Sequence, residues 1–207
     1  MGGAAAGEVA SRIFVETAAV VLSGERASEE ETVELVQKAF STANESILDQ
    51  ARENPRYRGM GCTAEVAVFF QRSFVIGHVG DSRTYLFRQG HLEQITKDHS
   101  LVQEQVDRGL ITAAEARHHP HRHVIARAVG VDGKLEIDLV KGELLPGDCI
   151  LLCSDGLTDM VDDPSIQDLL SRPLAVSQKV EALIGLAKAA GGHDNITVVL
   201  CTLIEPP

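Results

Sequence analysis

Hydrophobic positions at the start of the chain recur with helical spacing. Residues 7–22 place Val9, Ile13, Val20 and Val21 at roughly helical spacing, which predicts a helix. Ser28 followed by Glu31 forms a capping-box pattern that predicts the start of a second helix. Asn54-Pro55 predicts its end, because the residue before a proline disfavours helical backbone angles.

The hydrophobic period then shortens to that of strands. Segments 62–70, 73–80, 82–89 and 91–96 are short, rich in Val, Ile, Phe and Tyr, and separated by tight turns. Strands joined by such short turns pair in opposite directions. The pattern therefore predicts one antiparallel meander over these segments.

The second half of the chain alternates between blocks of helix and blocks of strand. Ser100 and the Thr112/Glu115 capping box predict polar helices within 100–118, and 118–134 has the composition of loop and short strand. The remaining predicted elements are strands at 135–140, 149–154 and 195–204, and helices at 165–171 and 175–190. Such blocks favour an α+β fold with antiparallel sheets over a doubly wound parallel sheet.

Size and charge narrow the class of protein. The 207 residues suit one domain, 1–207, with its own core. The formal net charge of -11 disfavours nucleic acid as a partner, since binding it requires a basic face. An acidic surface fits cation binding where carboxylates cluster, but by itself it also serves solubility alone.

The termini and cysteines point to a reducing compartment. The N-terminal residues lack a basic and an apolar region of a signal peptide, and no apolar run is long enough for a membrane span. The four cysteines fit no zinc or redox spacing. We therefore expect buried thiols in a cytoplasmic protein without membrane contact.

Three aspartates share one setting, at the boundary between an apolar strand and a turn. They are Asp81 in Val-Gly-Asp-Ser-Arg, Asp155 in Cys-Ser-Asp-Gly-Leu and Asp194 in Gly-His-Asp-Asn-Ile. Carboxylates held at strand ends suit hard cations such as Mg²⁺ or Mn²⁺. Any one of them alone is more typical of a turn. Asp159 shares a face with Asp155 if the chain turns helical after Gly156; otherwise it caps the next turn.

Seven motifs in order resemble the metal-dependent protein phosphatases, the protein phosphatase 2C-like family. The resemblance runs from Met1 to about Leu203. It rests on M-G-G-x-x-x-G-E-V-A-S at 1–11, G-M-G at 59–61, H-V-G-D-S-R at 78–83, T-K-D-H-S at 96–100, H-P-H-R-x-V-I-x-R-A-V-G at 119–130, S-D-G-L at 154–157 and H-D-N-I-T-V-V at 193–199.

The resemblance implies a four-layer αββα sandwich of two antiparallel sheets flanked by helices. It also implies a reaction in which water, activated by two Mn²⁺ or Mg²⁺ ions, attacks phosphorus without a phosphoenzyme. By motif, Asp155 and Asp194 resemble ligands of the two core ions. Asp81, with Asp155 and Asp159, resembles the holder of a weaker third ion.

The resemblance implies further roles and shows two departures. Residues 100–123 correspond to a flap beside the active site, and Asp98 and His99 to residues that lock its start. Cys62 stands where the family has Thr. Family members place Asp-Gly directly before the position of Met1, and an Arg-x-x-Asn-Glu-Asp strand earlier. We therefore expect an N-terminally incomplete domain that lacks its first strands, the metal-bridging Asp and a phosphate-binding Arg, with weak activity.

Two functions follow from these motifs. The first is a serine/threonine phosphatase that acts on phosphorylated proteins, including a Ser/Thr kinase that it opposes in the cytosol, and that is a monomer when intact. The alternative is an inactive pseudophosphatase that binds phosphoproteins or a kinase. An acidic α+β domain with no such activity is the third possibility.

Four histidines lie close together at His118, His119, His121 and His123. We expect no zinc site there, because Pro120 interrupts helical pairing and no cysteine is near. A solvated strip beside the phosphate entrance is the expected role.

Overall fold

The computed structural model describes residues 6–24 and 28–204. The chain divides into two compact units. The first contains Met1–Gly80 and His99–Glu143, and the second contains Asp81–Asp98 and Leu144–Pro207. The two units alternate along the chain. Each unit has its own antiparallel sheet and its own helices.

The secondary structure follows the predicted order. The helices are α1 Gly7–Val21, α2 Glu29–Glu53, α3 Leu101–Asp107, α4 Ala113–Arg117, α5 Asp155–Thr158, α6 Asp163–Ser171 and α7 Val176–Ala189. The strands are β1 Ala64–Phe70, β2 Ser73–Val79, β3 Arg83–Arg88, β4 His91–Gln94, β5 Asp138–Glu143, β6 Cys149–Cys153 and β7 Val198–Thr202.

The predicted helix caps of the first unit are present. The Ser28 side chain accepts a hydrogen bond from the Glu31 N–H at the start of α2, and α2 ends at Glu53 before Asn54. Ser100 caps α3, and Thr112 and Glu115 form the reciprocal capping box of α4. Local side-chain chemistry therefore places these boundaries without tertiary information.

The sheet of the first unit has the order β1-β2-β5, with both pairs antiparallel. Helix α2 packs directly on β2, because Gly77 offers no side chain: a Cβ there would lie 2.6 Å from Val36 and 2.7 Å from Phe40. Phe40 also meets Phe14 of α1 edge to face, with ring centroids 4.9 Å apart. These contacts form the core of this unit.

The sheet of the second unit has the order β4-β3-β6-β7 and is also antiparallel. Its core joins Tyr85 of β3 and Leu151 of β6 to Leu157, Ile166 and Leu183 on the three helices of this unit. The predicted α+β class, with two antiparallel sheets flanked by helices, is therefore confirmed.

The predicted single meander is wrong. Strand β2 pairs with β1 and β5, whereas β3 pairs with β4 and β6, so β2 and β3 belong to different sheets. Gly80, with φ of 122°, interrupts the strand geometry between them. A period of two shows which face of a strand is buried, but not which strand lies beside it.

The cysteines agree with the prediction except at one position. All four are free thiols. Cys62, Cys149 and Cys153 are buried, whereas Cys201 is half-buried because it lies on β7, the edge strand of its sheet. Within residues 6–24 and 28–204, no helix has the length and hydrophobicity required to cross a bilayer.

Candidate metal centre

The four predicted ligands all belong to the second unit. Strand register brings Asp81, Asp155 and Asp194 to one end of the sheet of this unit. Arg83 of β3 pairs with Cys153 of β6, and Cys153 pairs with Val198 of β7. Asp81 lies two residues before β3, Asp155 lies two residues after β6, and Asp194 lies in the loop before β7. Because these strands are antiparallel, all three aspartates emerge at the same end of the sheet.

Asp81 lies among other carboxylates. Burial above all, together with the nearby charges of Asp155, Asp98 and Asp159, raises its pKa to about 7 against the lowering effect of a backbone hydrogen bond. Close carboxylates that are removed from water disfavour the charged state. A divalent cation offsets this repulsion, and oxygen donors are what Mg²⁺ and Mn²⁺ prefer, so the residues fit the expected metal.

Asp155 begins the short helix α5, as the alternative with a helical turn requires. Its Oδ1 accepts a hydrogen bond from the Gly156 N–H at 2.8 Å. The Asp159 N–H donates to the Asp155 carbonyl at 2.8 Å, so the two residues are one helical turn apart. Residues one turn apart lie on the same face of a helix. The charges of both residues raise the pKa of Asp81.

Ser154 joins the Asp155 segment to the Asp194 segment. Its hydroxyl donates to the Asn195 carbonyl at 2.9 Å and accepts from the Thr197 N–H at 3.0 Å. The Asn195 N–H in turn donates to Asp194 Oδ1 at 2.7 Å. The hydroxyl of Ser154 therefore holds in place the backbone that orients Asp194.

Gly156 permits the closest approach between these two segments. A Cβ at this position would lie 2.3 Å from the Asn195 carbonyl oxygen, which no side chain tolerates. The motif Ser-Asp-Gly was visible in the sequence, but the roles of Ser154 and Gly156 were not predicted. A glycine next to a candidate ligand was the available signal.

The histidine strip lies in the first unit. His119 and His121 have ring centroids 5.5 Å apart, and His119 Nδ1 accepts a hydrogen bond from the His121 N–H at 3.2 Å. His118, His121 and His123 are exposed. The predictions of a flap over 100–123 and of no zinc at these histidines stay predictions.

The arrangement of carboxylates at one end of a sheet agrees with what known proteins show. The family model "Protein phosphatase 2C" matches residues 1–194. The chain belongs to this family. The family predicted from the seven motifs is therefore confirmed.

Similar proteins that are named serine/threonine phosphatases support the assignment to the protein phosphatase 2C family. The serine/threonine phosphatase Stp of Listeria innocua is 38% identical over 208 residues, which is 97% of this chain and 80% of that protein. The crystal structure of the serine/threonine phosphatase Stp1 from Staphylococcus aureus has a TM-score of 0.95 at 35% identity, covering 99% of this chain and 81% of that one.

A third relative of the family carries metal. The catalytic domain of the serine/threonine protein phosphatase PstP, in complex with two manganese ions, has a TM-score of 0.89 at 38% identity and covers 99% of this chain and 85% of that chain. The two manganese ions in that structure agree with the cofactor expected for the family, Mn²⁺ or Mg²⁺. These relatives are named as phosphatases, and they lend no support to the alternative of an inactive binding protein.

Proposed function

We propose that this chain is a metal-dependent phosphatase of phosphoserine and phosphothreonine in proteins. The observation that carries the proposal is the position of Asp81 beside Asp155 and Asp159, at the sheet end where Asp194 also emerges. Structural aspartates are normally paired with cations. A cluster of carboxylates that oppose one another's ionisation is typical of a site for divalent ions.

Asp155 and Asp194 would hold the two core ions, and Asp81 with Asp155 and Asp159 a third. When bound, such cations lower the pKa of the attacking water and offset charge on the phosphoryl oxygens. The contribution of the chain is orientation. The Gly156 N–H fixes one oxygen of Asp155, and the Asn195 N–H fixes one oxygen of Asp194.

The side chains near the site argue against a covalent phosphoenzyme. The Ser154 hydroxyl is engaged both as a donor and as an acceptor in holding the Asp194 loop. Cys153 lies buried in the core, and its Sγ lies 3.7 Å from the Arg83 carbonyl oxygen. Neither has the exposed, activated character of a nucleophile, which agrees with attack by water.

The proposed class of substrate is supported by the relatives and by composition. Stp, Stp1 and PstP are named serine/threonine phosphatases. The acidic chain, with a net charge of -11, does not favour nucleic acid. We accordingly assign phosphorylated proteins as substrates, a Ser/Thr kinase among them, and a monomer in the cytoplasm as the working form.

Hydrolysis of a phosphothreonine peptide tests this function. The rate should require Mn²⁺ or Mg²⁺ and disappear with chelator. Asp155→Asn and Asp194→Asn should each lower kcat/KM at least about 100-fold, the upper end of what loss of an outer-shell partner costs. Asp168→Asn is the matched control, because Asp168 is exposed on α6 and pairs with Arg172. Full activity of either ligand variant, or activity in chelator, would contradict the proposal.

A further inference from the structure

Two consecutive residues, Asp98 and His99, hold the backbone on both sides of Asp81. The chain passes from the first unit to the second after Gly80, and returns to the first unit after Asp98. Each of these two residues binds a partner in its own unit. The partners are Gly80, directly before Asp81, and Arg83, two residues after it.

In the first unit, His99 binds both polar groups of Gly80. The His99 N–H donates to the Gly80 carbonyl at 2.6 Å, and the Gly80 N–H donates to His99 Nδ1 at 3.1 Å. Gly80 has φ of 122°, and a Cβ there would lie 2.4 Å from Thr63. The backbone that leads into Asp81 is therefore fixed by two hydrogen bonds and by steric exclusion.

The hydrogen bond that Nδ1 accepts assigns one tautomer to the neutral His99 ring, whose Nε2 lies near both Asp138 and Arg127. Because Nδ1 accepts from Gly80, the proton of the neutral ring lies on Nε2, 3.1 Å from the Asp138 carboxylate. Asp138 also accepts from Arg127 at 2.9 Å. Burial lowers the pKa of His99, although Asp138 opposes the shift, so the neutral ring that accepts from Gly80 is favoured.

In the second unit, Asp98 binds Arg83 in a bidentate manner. Its carboxylate accepts from Arg83 Nε at 2.9 Å and from Nη2 at 2.7 Å. Gln94 donates to the same carboxylate at 2.9 Å. The Asp98 side chain is only 11% exposed, which strengthens these charge-assisted bonds.

We infer that Asp98 and His99 are positioning residues for Asp81, which hold the backbone on both sides of its carboxylate at the proposed cation site. The inference rests on the proposed metal role of Asp81. A tether on both sides of the turn resists its displacement before a cation arrives, and such outer-shell restraints raise metal affinity about 10- to 100-fold.

A purely structural role makes a different prediction. If the two residues only stabilise the fold, their loss lowers the melting temperature but leaves the affinity of the folded protein for Mn²⁺ unchanged. The test therefore measures Mn²⁺ affinity by calorimetric titration, and the folded fraction by circular dichroism. Asp81→Asn first identifies the binding step that depends on Asp81.

His99→Leu removes the acceptor for Gly80 and should weaken that step at least about tenfold. In the Asp81→Asn background the same change should add no further loss, because the two effects share one route. His99→Asn, whose side-chain oxygen replaces Nδ1 as the acceptor, should recover most of the affinity. Equal losses in both backgrounds, or no loss in either, overturn the inference.

Asn44→Ala is the matched control. Asn44 is buried in the first unit and binds the Gly130 N–H at 2.7 Å and the Asp132 carbonyl at 2.9 Å, so it holds a different glycine in a similar way. Its loss should lower stability without changing Mn²⁺ affinity. An equal loss of affinity with Asn44→Ala would show a general effect of destabilisation and overturn the inference.

A second variant covers the case in which His99→Leu does not fold. Arg83→Gln breaks the bidentate pair with Asp98 at a side chain that is 23% exposed. It should weaken the same step, and unchanged affinity contradicts the inference. If Asp81→Asn binds Mn²⁺ like the unchanged protein, the proposed metal role of Asp81 fails first, and the inference fails with it.

Discussion

The surroundings at the two ends of strand β6 shift the pKa of a carboxylate in opposite directions. At its start, Asp148 is 3% exposed and accepts from Arg88 at 2.6 and 3.0 Å and from the Leu145 N–H at 2.6 Å. Burial alone would raise the pKa of Asp148, but the bonds from Arg88 and Leu145 hold it below its ordinary value. At the other end, burial first and then the nearby charge of Asp155 raise the pKa of Asp81 to about 7.

The difference separates a carboxylate that is neutralised within the chain from one that is proposed to bind a cation. Asp148 is neutralised within the chain, so its charge stabilises the folded state. Asp81 is placed where burial and neighbouring carboxylates oppose its charge, which a bound cation would offset. The same strand thus carries a stabilising site at one end and a destabilising one at the other, and each can be tested by its removal.

The largest expected effect is the loss of Asp148. Asp148→Ala should lower the free energy of unfolding by about 3 kcal/mol, the lower end for a broken buried ion pair, because Arg88 is partly exposed. Urea unfolding measures it. Arg88→Met combined with Asp148→Leu should recover part of the loss, since no buried charge is then left unpaired. A loss below 1 kcal/mol for Asp148→Ala would contradict the structural assignment.

Mn²⁺ should act only at the other end of the strand. At a free concentration about 100-fold above the dissociation constant, Mn²⁺ should add about 2.7 kcal/mol of stability. For a chain of this size that is a rise in melting temperature of roughly 5–10 °C. Asp155→Asn should abolish most of this rise. Asp148→Asn should lower the melting temperature without Mn²⁺ but leave the rise caused by Mn²⁺ unchanged. The reverse pattern would exchange the two roles.

Acid below about pH 4 should remove the stabilising charge at the Asp148 end. Because the pKa of Asp148 is lowered in the folded state, its contribution is fully present above the unfolded pKa of about 3.9 and is lost as pH falls through the folded value. Asp148→Asn should therefore flatten the dependence of stability on pH below about 4. The measurement is urea unfolding from pH 6 to the acid limit. An unchanged slope in the variant would show that Arg88 does not stabilise the charged form.

The smallest effect is a gain in stability. In the presence of chelator, Asp81→Asn removes one charge from the carboxylate cluster and should raise the melting temperature. A relief of about 1 kcal/mol corresponds to about 2–4 °C for a domain of this size. Asp168→Asn, at an exposed position, should change it little. A lower melting temperature for Asp81→Asn would mean that its charge is compensated within the chain.

Much of the fold was predictable because its signals are local. Ser28, Ser100 and Thr112 marked helix starts through their own side chains. Strand partners were not predictable, since separation of β2 from β3 at Gly80 depends on which sheet each strand joins. Strand β5 was expected at 135–140 but spans Asp138–Glu143, because apolar residues before it pack on the core without pairing.

The candidate site was predictable in its residues but not in its supports. Asp81, Asp155, Asp159 and Asp194 follow from motif order, and their metal role stays a prediction. The bonds of Ser154 with Asn195 and Thr197 join segments far apart in sequence. The hydrogen bonds between His99 and Gly80 likewise join segments that are distant in sequence. Such contacts depend on tertiary approach, which no local pattern encodes.

The contact of Gly156 with Asn195 has a consequence for protein engineering. Because a Cβ at position 156 would overlap the Asn195 carbonyl, the backbone of helix α5 and that of the loop around Asn195 cannot be altered independently. A library that randomises only one of these two segments will yield mostly folding failures, whereas one that varies both together samples shapes that fit. The two segments therefore constitute one unit of variation, although they are distant in the gene.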